Sequence, residues 1–435
     1  MSAQISSSAF SPAPNAATTG VRTHVLSNGL TIVGENLAEK RAIAWTLLLP
    51  SGAATEPQQK DGLSGVLESL CYRGAGDKNS RQLSDALDDL GIDRGGGADI
   101  EYSTFGGATL GAYFSDALAL YADIVRRPQL LRDDFSVDEF EAQRALSLQA
   151  LESLDDNPAR KMFVQLRRVF FQDAYGRSPL GTREALESLT LQDLRDDHAA
   201  RYQPQGAILA LAGEVDFDGV VARAEELFGD WNGAPPIAPD AQHIQSPVLQ
   251  HIEQDTSQQH IGVAWSGVAS DDAHFYNSRV AMSVLSGGMG ARLFTEVREK
   301  RGLVYSVSAS AGSVRGCGFN LAYAGTTPER SQETLDVLLN ELRRMKDGVT
   351  EAEVERAKTG MLSSLVMQEE SSRARTGAIA RDQFVLGRVR TLDEVTGAIG
   401  DVSPQTIAAF YEANPPQDFT VVTLGPRALE VNGSA

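Results

Sequence analysis

The sequence is poor in cysteine, has no long apolar run and carries few positive charges for its 435 residues. Cys71 and Cys317 are the only cysteines, too few for a disulfide framework or for a structural metal site made of thiolates. The longest apolar runs, such as residues 45–49 and 207–212, are as long as a strand and much shorter than a bilayer span. These absences predict a globular protein with reduced thiols and no transmembrane helix.

Positive charge is in deficit, because 39 lysines and arginines stand against 58 aspartates and glutamates and give a net charge of −19. A surface of this sign repels phosphate, so we expect neither nucleic acid nor an anionic membrane as a partner. Solubility alone explains the charge, which therefore identifies no substrate.

Residues 1–20 are rich in serine, alanine and proline but lack the basic start and apolar centre of a secretory signal. We expect this segment to be a disordered tail and the protein to be cytoplasmic. A periplasmic location stays open if a signal peptide has been removed.

The length of the chain exceeds what one hydrophobic core usually supports, which predicts more than one domain. Strand patterns alternate in groups with helical patterns such as residues 62–72, where apolar side chains recur at helical spacing. The proline-rich residues 233–248 interrupt this order as a linker. We therefore predict an N-terminal domain over residues 21–232 and a C-terminal domain over residues 249–435, each of the α+β class.

Short motifs are spread over most of the chain: residues 26–30 (LSNGL), 179–181 (PLG), 190–204 (TLQDLRDDHAARYQP), 228–231 (FGDW), 287–289 (GGM), 292–294 (RLF) and 298–305 (REKRGLVY). Together they resemble the pitrilysin/insulinase-type metallopeptidases, which are inverzincins. The first half is similar to the N-terminal half of such a subunit, and the second half to its C-terminal half. The resemblance implies a processing-peptidase-like fold of two homologous domains, each a mixed, largely antiparallel sheet packed against several helices.

Active members of that family carry H-x-x-E-H on the first helix, where two histidines one turn apart bind zinc and the glutamate activates water. The matching segment reads GLSGVLES, so Gly65 and Ser69 stand at the histidine positions and Glu68 is retained. The third ligand of the family falls at Gln149 or Ala150, and neither is an anionic ligand. The resemblance implies that this chain binds no metal and has no complete catalytic site by itself.

The six histidines do not replace the missing ligands. Their spacing contains neither H-x-x-E-H, nor its reverse, nor a pair at i and i+4. His198 matches a position in the helix-to-strand segment of the family, and we expect it to make a structural hydrogen bond. The histidines are residues 24, 198, 243, 251, 260 and 274.

Arg298 and Tyr305, seven residues apart, match the family's arginine/tyrosine pair, which the resemblance implies to be substrate-binding. We place Arg298 late in a helix that ends near Gly302, and Tyr305 at the start of the next strand, so that the turn aims both donors in one direction. Donors aimed at a carbonyl oxygen stabilise the negative charge that develops there during hydrolysis. The alternative is structural, with the arginine at a helix C-terminus and the tyrosine at the rim of the core.

Three consecutive glycines, Gly95, Gly96 and Gly97, precede a strand predicted over residues 99–105, which a second strand over residues 107–113 follows. The resemblance implies that this region presents a sheet edge to a peptide, and glycines allow another backbone to approach closely. A flexible loop or a bulge explains the same residues equally well.

The resemblance implies that the chain is the non-zinc subunit of a heterodimeric zinc endopeptidase. A homologous partner with H-x-x-E-H holds the zinc in this interpretation, and Arg298 and Tyr305 bind the peptide in a shared chamber. Two alternatives stay open, namely a catalytically inert structural or assembly subunit and a peptide-binding homodimer that needs no partner.

Overall fold

The chain folds into two halves with a similar order of strands and helices. A computed structural model describes residues 20–37, 40–233, 238–243 and 247–431. The tail predicted over residues 1–20 lies outside these ranges apart from Gly20, and so does part of the linker predicted over residues 233–248. No helix in the described ranges is both long enough and apolar enough to cross a bilayer.

The first half contains a six-stranded sheet in the order β1-β2-β8-β3-β7-β6 and a small two-stranded hairpin, β4-β5. Its strands are β1 (Val21–Val25), β2 (Thr31–Asn36), β3 (Ala42–Leu49), β4 (Gly74–Ala75), β5 (Lys78–Asn79), β6 (Asp93–Ala98), β7 (Ser103–Leu110) and β8 (Ile208–Gly213). Its helices are α1 (Leu63–Cys71), α2 (Ser80–Asp89), α3 (Phe114–Arg126), α4 (Val137–Glu152), α5 (Pro158–Phe171), α6 (Arg183–Ser188), α7 (Leu191–Arg201) and α8 (Phe217–Phe228).

The second half contains a five-stranded sheet in the order β11-β12-β10-β13-β9. Its strands are β9 (Val248–Glu253), β10 (Gln259–Gly267), β11 (Val304–Val314), β12 (Cys317–Thr326) and β13 (Thr420–Gly425). Its helices are α9 (Phe275–Ser286), a π-helical segment (Phe294–Glu299), α10 (Ser331–Arg343), α11 (Glu351–Glu369), α12 (Ser372–Leu386), α13 (Leu392–Gly400) and α14 (Pro404–Ala413).

Apart from β1, each strand of the first sheet has a counterpart in the second. The order β2-β8-β3-β7-β6 in the first half matches β9-β13-β10-β12-β11 in the second. One parallel pair, β2 with β8 or β13 with β9, joins an otherwise antiparallel ladder in each sheet. The predicted class, mixed and largely antiparallel sheets packed against helices, is confirmed. The repeated topology also supports two homologous domains, whose limits stay a prediction.

Each half lends one helix to the sheet of the other. Helix α5 packs on β10 and β13 of the second sheet, and α12 packs on β8 and β3 of the first. In these two clusters Met162 and Leu166 of α5 are buried with Val422, while Ile379 of α12 is buried with Ile208. Both faces of each sheet are therefore covered, one by helices of the same half and one by the exchanged helix, which couples the two halves through apolar burial.

The strand limits around the three glycines differ from the prediction. The glycines do not precede a strand over residues 99–105 but lie inside β6, which pairs with β7 in one hairpin. The turn between the strands is closed by the Asp99 N–H, which donates to the Tyr102 carbonyl at 2.8 Å. Glycine has low strand propensity, so local sequence favoured a loop, and pairing with β7 overrode that preference.

Candidate functional site

Helix α1, which corresponds to the zinc helix of the family, is held rigidly at its N-terminus. The carboxylate of Glu56 accepts hydrogen bonds from the Gly62 N–H at 3.0 Å and the Ser64 N–H at 2.7 Å. Arg201 also donates to the hydroxyl of Ser64 in this turn, at 2.9 Å. The apolar stripe predicted for this helix is buried in the core, which confirms that face; its members are Leu63, Val66, Leu67 and Leu70.

The positions that the resemblance assigns to metal ligands hold Gly65 and Ser69 on α1 and Gln149 or Ala150 on α4. Gly65 faces the carbonyl of Pro179, since a Cβ added at Gly65 would lie 3.2 Å from that oxygen. Ser69 turns its hydroxyl towards Glu68, and Gln149 and Ala150 are exposed near the end of α4. Within the described ranges, no group of three histidine, cysteine, aspartate or glutamate side chains is placed to hold a metal ion. That the chain binds no zinc stays a prediction.

The side chain of Glu68 extends from α1 towards the edge strand β6. A Cβ at Gly96 of β6 would lie 3.4 Å from its Oε1, and the Ser69 hydroxyl lies 3.5 Å from its Oε2. Burial raises the pKa of Glu68 to about 7, and the Ser69 hydroxyl only partly opposes this. The carboxyl group is therefore half protonated near neutral pH.

We expect the Glu68→Gln variant to be stabilised by about 2 kcal/mol more at pH 8.5 than at pH 5, because each pKa unit corresponds to about 1.4 kcal/mol. The folded-state pKa of Glu68 is raised, so its favourable contribution is present at low pH and is lost as pH rises through about 7. Urea unfolding of both proteins at the two pH values measures the difference. Glu56, whose pKa burial also raises to about 7, titrates in both proteins and cancels. An equal stability difference at both pH values would contradict the burial of an ionising Glu68.

Arg298 lies in the π-helical segment, where the Lys300 N–H donates to the Thr295 carbonyl five residues back at 2.9 Å. Its guanidinium carbon lies 5.0 Å from the centre of the Phe294 ring and 5.1 Å from that of the Tyr305 ring. Arginine between two aromatic faces is held by cation–π attraction, which restricts its rotamers. π-Helical turns are rare and often occur at functional sites.

Tyr305 sits in a β-bulge at the start of β11. The pairing of β11 with β12 shifts register between Val304 and Ser306, so Tyr305 is left out of the ladder. Its side chain is 78% exposed. A bulge re-aims the side chain that it carries and is typical of strand edges beside active sites. The tyrosine ring therefore stands free of the sheet and against Arg298.

Arg298 lies in a helical segment before Gly302 and Tyr305 lies near the start of β11, where the sequence placed them; the role of the pair in binding substrate stays a prediction. The turn after the π-helical segment ends at Gly302, which has φ +57° and whose N–H donates to the Arg298 carbonyl at 3.0 Å. This left-handed turn reverses the chain and brings Tyr305 back onto Arg298. Sequence reasoning missed Phe294, although its position four residues before Arg298 on a helix was a usable signal. The sequence contains no signal that predicts the bulge at Tyr305.

The three glycines of β6 have different reasons to be glycine. β6 is the last strand of its sheet. The guanidinium of Arg373 packs against Gly95, and a Cβ at this position would clash with it, at 1.9 Å from Nη2. A Cβ at Gly97 would meet no described atom within 4 Å. Only part of the run therefore offers the open edge that peptide binding requires.

His198 makes the structural hydrogen bond expected of it. Its Nε2 lies 2.7 Å from the Val125 carbonyl on α3. Burial lowers the pKa of this imidazole to about 4, so the ring is neutral and Nε2–H donates. The histidine ties α7 to α3 and is not available to a metal.

Both halves of the chain match models of peptidase families. Residues 31–183 match the family described as Insulinase (Peptidase family M16), and residues 188–361 match the one described as Peptidase M16 inactive domain. An uncharacterized zinc protease of Mycobacterium tuberculosis (strain ATCC 25618 / H37Rv) is 28% identical over 423 residues, which cover 96% of this chain and 95% of that protein. An uncharacterized zinc protease of Bacillus subtilis (strain 168) is 24% identical over 413 residues, covering 93% and 98%.

Solved structures share the fold over nearly the whole chain. A peptidase M16 inactive domain from Pseudomonas fluorescens superposes with a TM-score of 0.86 at 22% identity, covering 94% of this chain and 99% of that one. A chain of Complex III2 from Candida albicans reaches a TM-score of 0.81 at 19% identity, covering 94% and 96%. At these identities the likeness is one of architecture.

Proposed function

The chain belongs to the M16 peptidase family, and we propose that it serves as the subunit without zinc in a two-chain zinc endopeptidase. One observation carries the proposal, the contrast between the two halves of the chain. α1 has Gly65 and Ser69 where metal ligands are needed, while the second half holds half-buried Arg298 against the exposed ring of Tyr305. A chain that had lost every peptidase role would have no reason to keep a π-helical turn and a bulge around that pair.

In the proposed complex the zinc belongs to the partner, which supplies H-x-x-E-H. When bound there, zinc polarises the scissile carbonyl and lowers the pKa of a water molecule. This chain contributes hydrogen-bond donors to the substrate, namely the guanidinium of Arg298 and the phenol of Tyr305. Because Phe294 and Tyr305 hold the guanidinium between their rings, its donors are oriented before substrate arrives.

The position of the pair suits a substrate in extended conformation. Tyr305 opens β11, which is the edge strand of the second sheet. An extended peptide beside this edge would present its carbonyl oxygens to both donors and hydrogen-bond to the free side of the strand. The preferred substrates in this proposal are short or unfolded peptides, because a folded protein cannot offer an extended segment to a sheet edge.

The experiment that tests the proposal is hydrolysis of a quenched fluorescent peptide by three preparations: this chain, a zinc-bearing homologue with H-x-x-E-H, and their mixture. We expect hydrolysis in the mixture only, with zinc recovered in the homologue and not in this chain by mass spectrometry. If the homologue hydrolyses peptide at the same rate with and without this chain, the proposal fails and an inert structural or assembly role remains. Peptide binding by this chain alone, without any effect on the homologue, would instead favour the homodimer.

A further inference from the structure

A cavity of about 290 Å³ lies between helix α5 and strand β12, away from Arg298 and Tyr305. Its wall includes four phenylalanines, namely Phe163, Phe170, Phe171 and Phe319. Exposed Arg160 also lines it, so the cavity opens to solvent on that side. Its volume is at the lower end of the range of small-ligand sites, roughly 300–1,000 Å³, so it suits a single side chain rather than a long segment.

Arg167 of α5 brings an unsatisfied positive charge to this apolar wall. Its guanidinium carbon lies 4.9 Å from the centre of the Phe171 ring and 5.3 Å from that of the Phe319 ring. Nε donates to the Tyr175 carbonyl at 2.8 Å. Among the described residues, neither Nη1 nor Nη2 has a hydrogen-bond partner, and Nη2 is buried. Burial lowers the pKa of Arg167, as expected for a cation without a close counter-ion.

The acidic residues around Arg167 are engaged elsewhere. Asp99 accepts from the Ile100 N–H at 2.7 Å, Glu101 from the Arg315 N–H at 2.9 Å, and Asp173 from the Tyr175 N–H at 2.8 Å. They attract the guanidinium at a distance, but no described carboxylate lies within 4.0 Å of it. A buried charge without a partner is costly, so the site favours an anion that reaches Arg167 through the cavity.

We propose that this cavity binds the C-terminal carboxylate of a peptide whose last residue is apolar, with the carboxylate on Arg167 and the side chain among the phenylalanines. Nη1 has no hydrogen-bond partner among the described residues, so a carboxylate oxygen that enters the cavity can accept a charge-assisted hydrogen bond from it. The aromatic walls select an apolar side chain and disfavour inorganic phosphate, which has no apolar part. The choice of a peptide as carrier of the carboxylate rests on the proposed function. The cavity would then anchor one end of a substrate or product inside the chamber.

Calorimetric titration of the full chain with the peptide acetyl-Ala-Ala-Phe and with its C-terminal amide tests this inference without any partner or zinc. We expect the acid to bind about ten- to a hundredfold more tightly than the amide, the range of a charge-assisted hydrogen bond in a buried site. Arg167→Met should abolish that preference, because methionine keeps apolar contact with Phe171 and Phe319 but has no charge for the carboxylate. Arg81→Gln, which removes an exposed arginine on α2, is the matched control and should keep the preference.

A second variant, Val164→Trp, fills the cavity without changing any charge and should weaken binding of the acid. Three outcomes would each overturn the inference. They are equal affinities for acid and amide, retention of the preference in Arg167→Met, and no binding of either peptide at millimolar concentration. If phenylacetate displaces the peptide with the same affinity as the peptide itself, the site recognises free apolar acids and the peptide assignment is wrong. Because none of these readings involves hydrolysis, failure here leaves the two-chain peptidase proposal standing, and failure of that proposal leaves this binding result intact.

Discussion

Arg298→Ala and Tyr305→Phe are each expected to lower kcat/KM of the reconstituted two-chain peptidase by about 10²–10³-fold, the usual loss when one donor to a developing oxyanion is removed. Both donors act on charge that appears in the transition state, so the fall should be mainly in kcat and less in KM. Steady-state hydrolysis of the quenched peptide by the mixture, with each variant in turn, measures the effect.

The contact between the two side chains adds a sharper expectation. The Arg298 guanidinium carbon lies 5.1 Å from the centre of the Tyr305 ring, so the two residues act as a unit. The double variant should therefore lose less than the product of the two single losses. The unfolding temperature should not fall in Tyr305→Phe, since the ring is 78% exposed and only its hydroxyl is removed.

Arg301→Ala is the matched control for Arg298. Arg301 lies three residues later and donates to the carbonyl of Glu296 at 2.8 Å and to its carboxylate at 2.9 Å. It does not contact Tyr305, so its loss should leave kcat near that of the unmodified mixture. Equal activity of the Arg298, Tyr305 and Arg301 variants would show that the pair is structural and that the chain supplies no donors to substrate.

Asp197→Ala is expected to lower the free energy of unfolding by about 3–5 kcal/mol, because it leaves a buried guanidinium without its counter-ion. Asp197 and Arg201 form a two-point pair on α7 at 2.7 and 2.6 Å, with side chains 2% and 4% exposed. Arg201 also donates to the Gly52 carbonyl and to the Thr55 and Ser64 hydroxyls, each at 2.9 Å. The pair thus anchors the N-terminus of α1 to α7, and urea unfolding measures its contribution.

The Arg81–Asp85 pair on α2 is a matched control with the same separation of four residues. Its side chains are 85% and 54% exposed, so water and salt screen the attraction. Asp85→Ala should leave the urea midpoint unchanged within error. If Asp197→Ala were as mild, then water would have to reach the α7 pair, and the rigid anchoring of α1 inferred from this network would be wrong.

Local patterns in the sequence were sufficient for several parts of this structure. The stripe of apolar residues specifies the buried face of α1, because helical spacing places them on one side. The Asn28-Gly29 pair specifies the first turn, where Gly29 has φ +90° between β1 and β2. The lack of histidine on α1 and the spacing of Arg298 and Tyr305 can also be read directly from residue types. Each of these features depends on residues within about one or two turns of each other.

The remaining features depend on contacts between residues far apart in the chain. The exchange of α5 and α12 between the halves, the strand pairing that makes Gly95 to Gly97 an edge, and the bulge at Tyr305 all follow from packing and register. The unpaired guanidinium of Arg167 is visible only once α5 lies on the second sheet beside Phe319. The propensity of a residue describes only the local backbone conformation that it favours. Its burial, its strand pairing and the neutralisation of its charge depend on which distant parts of the chain pack against it.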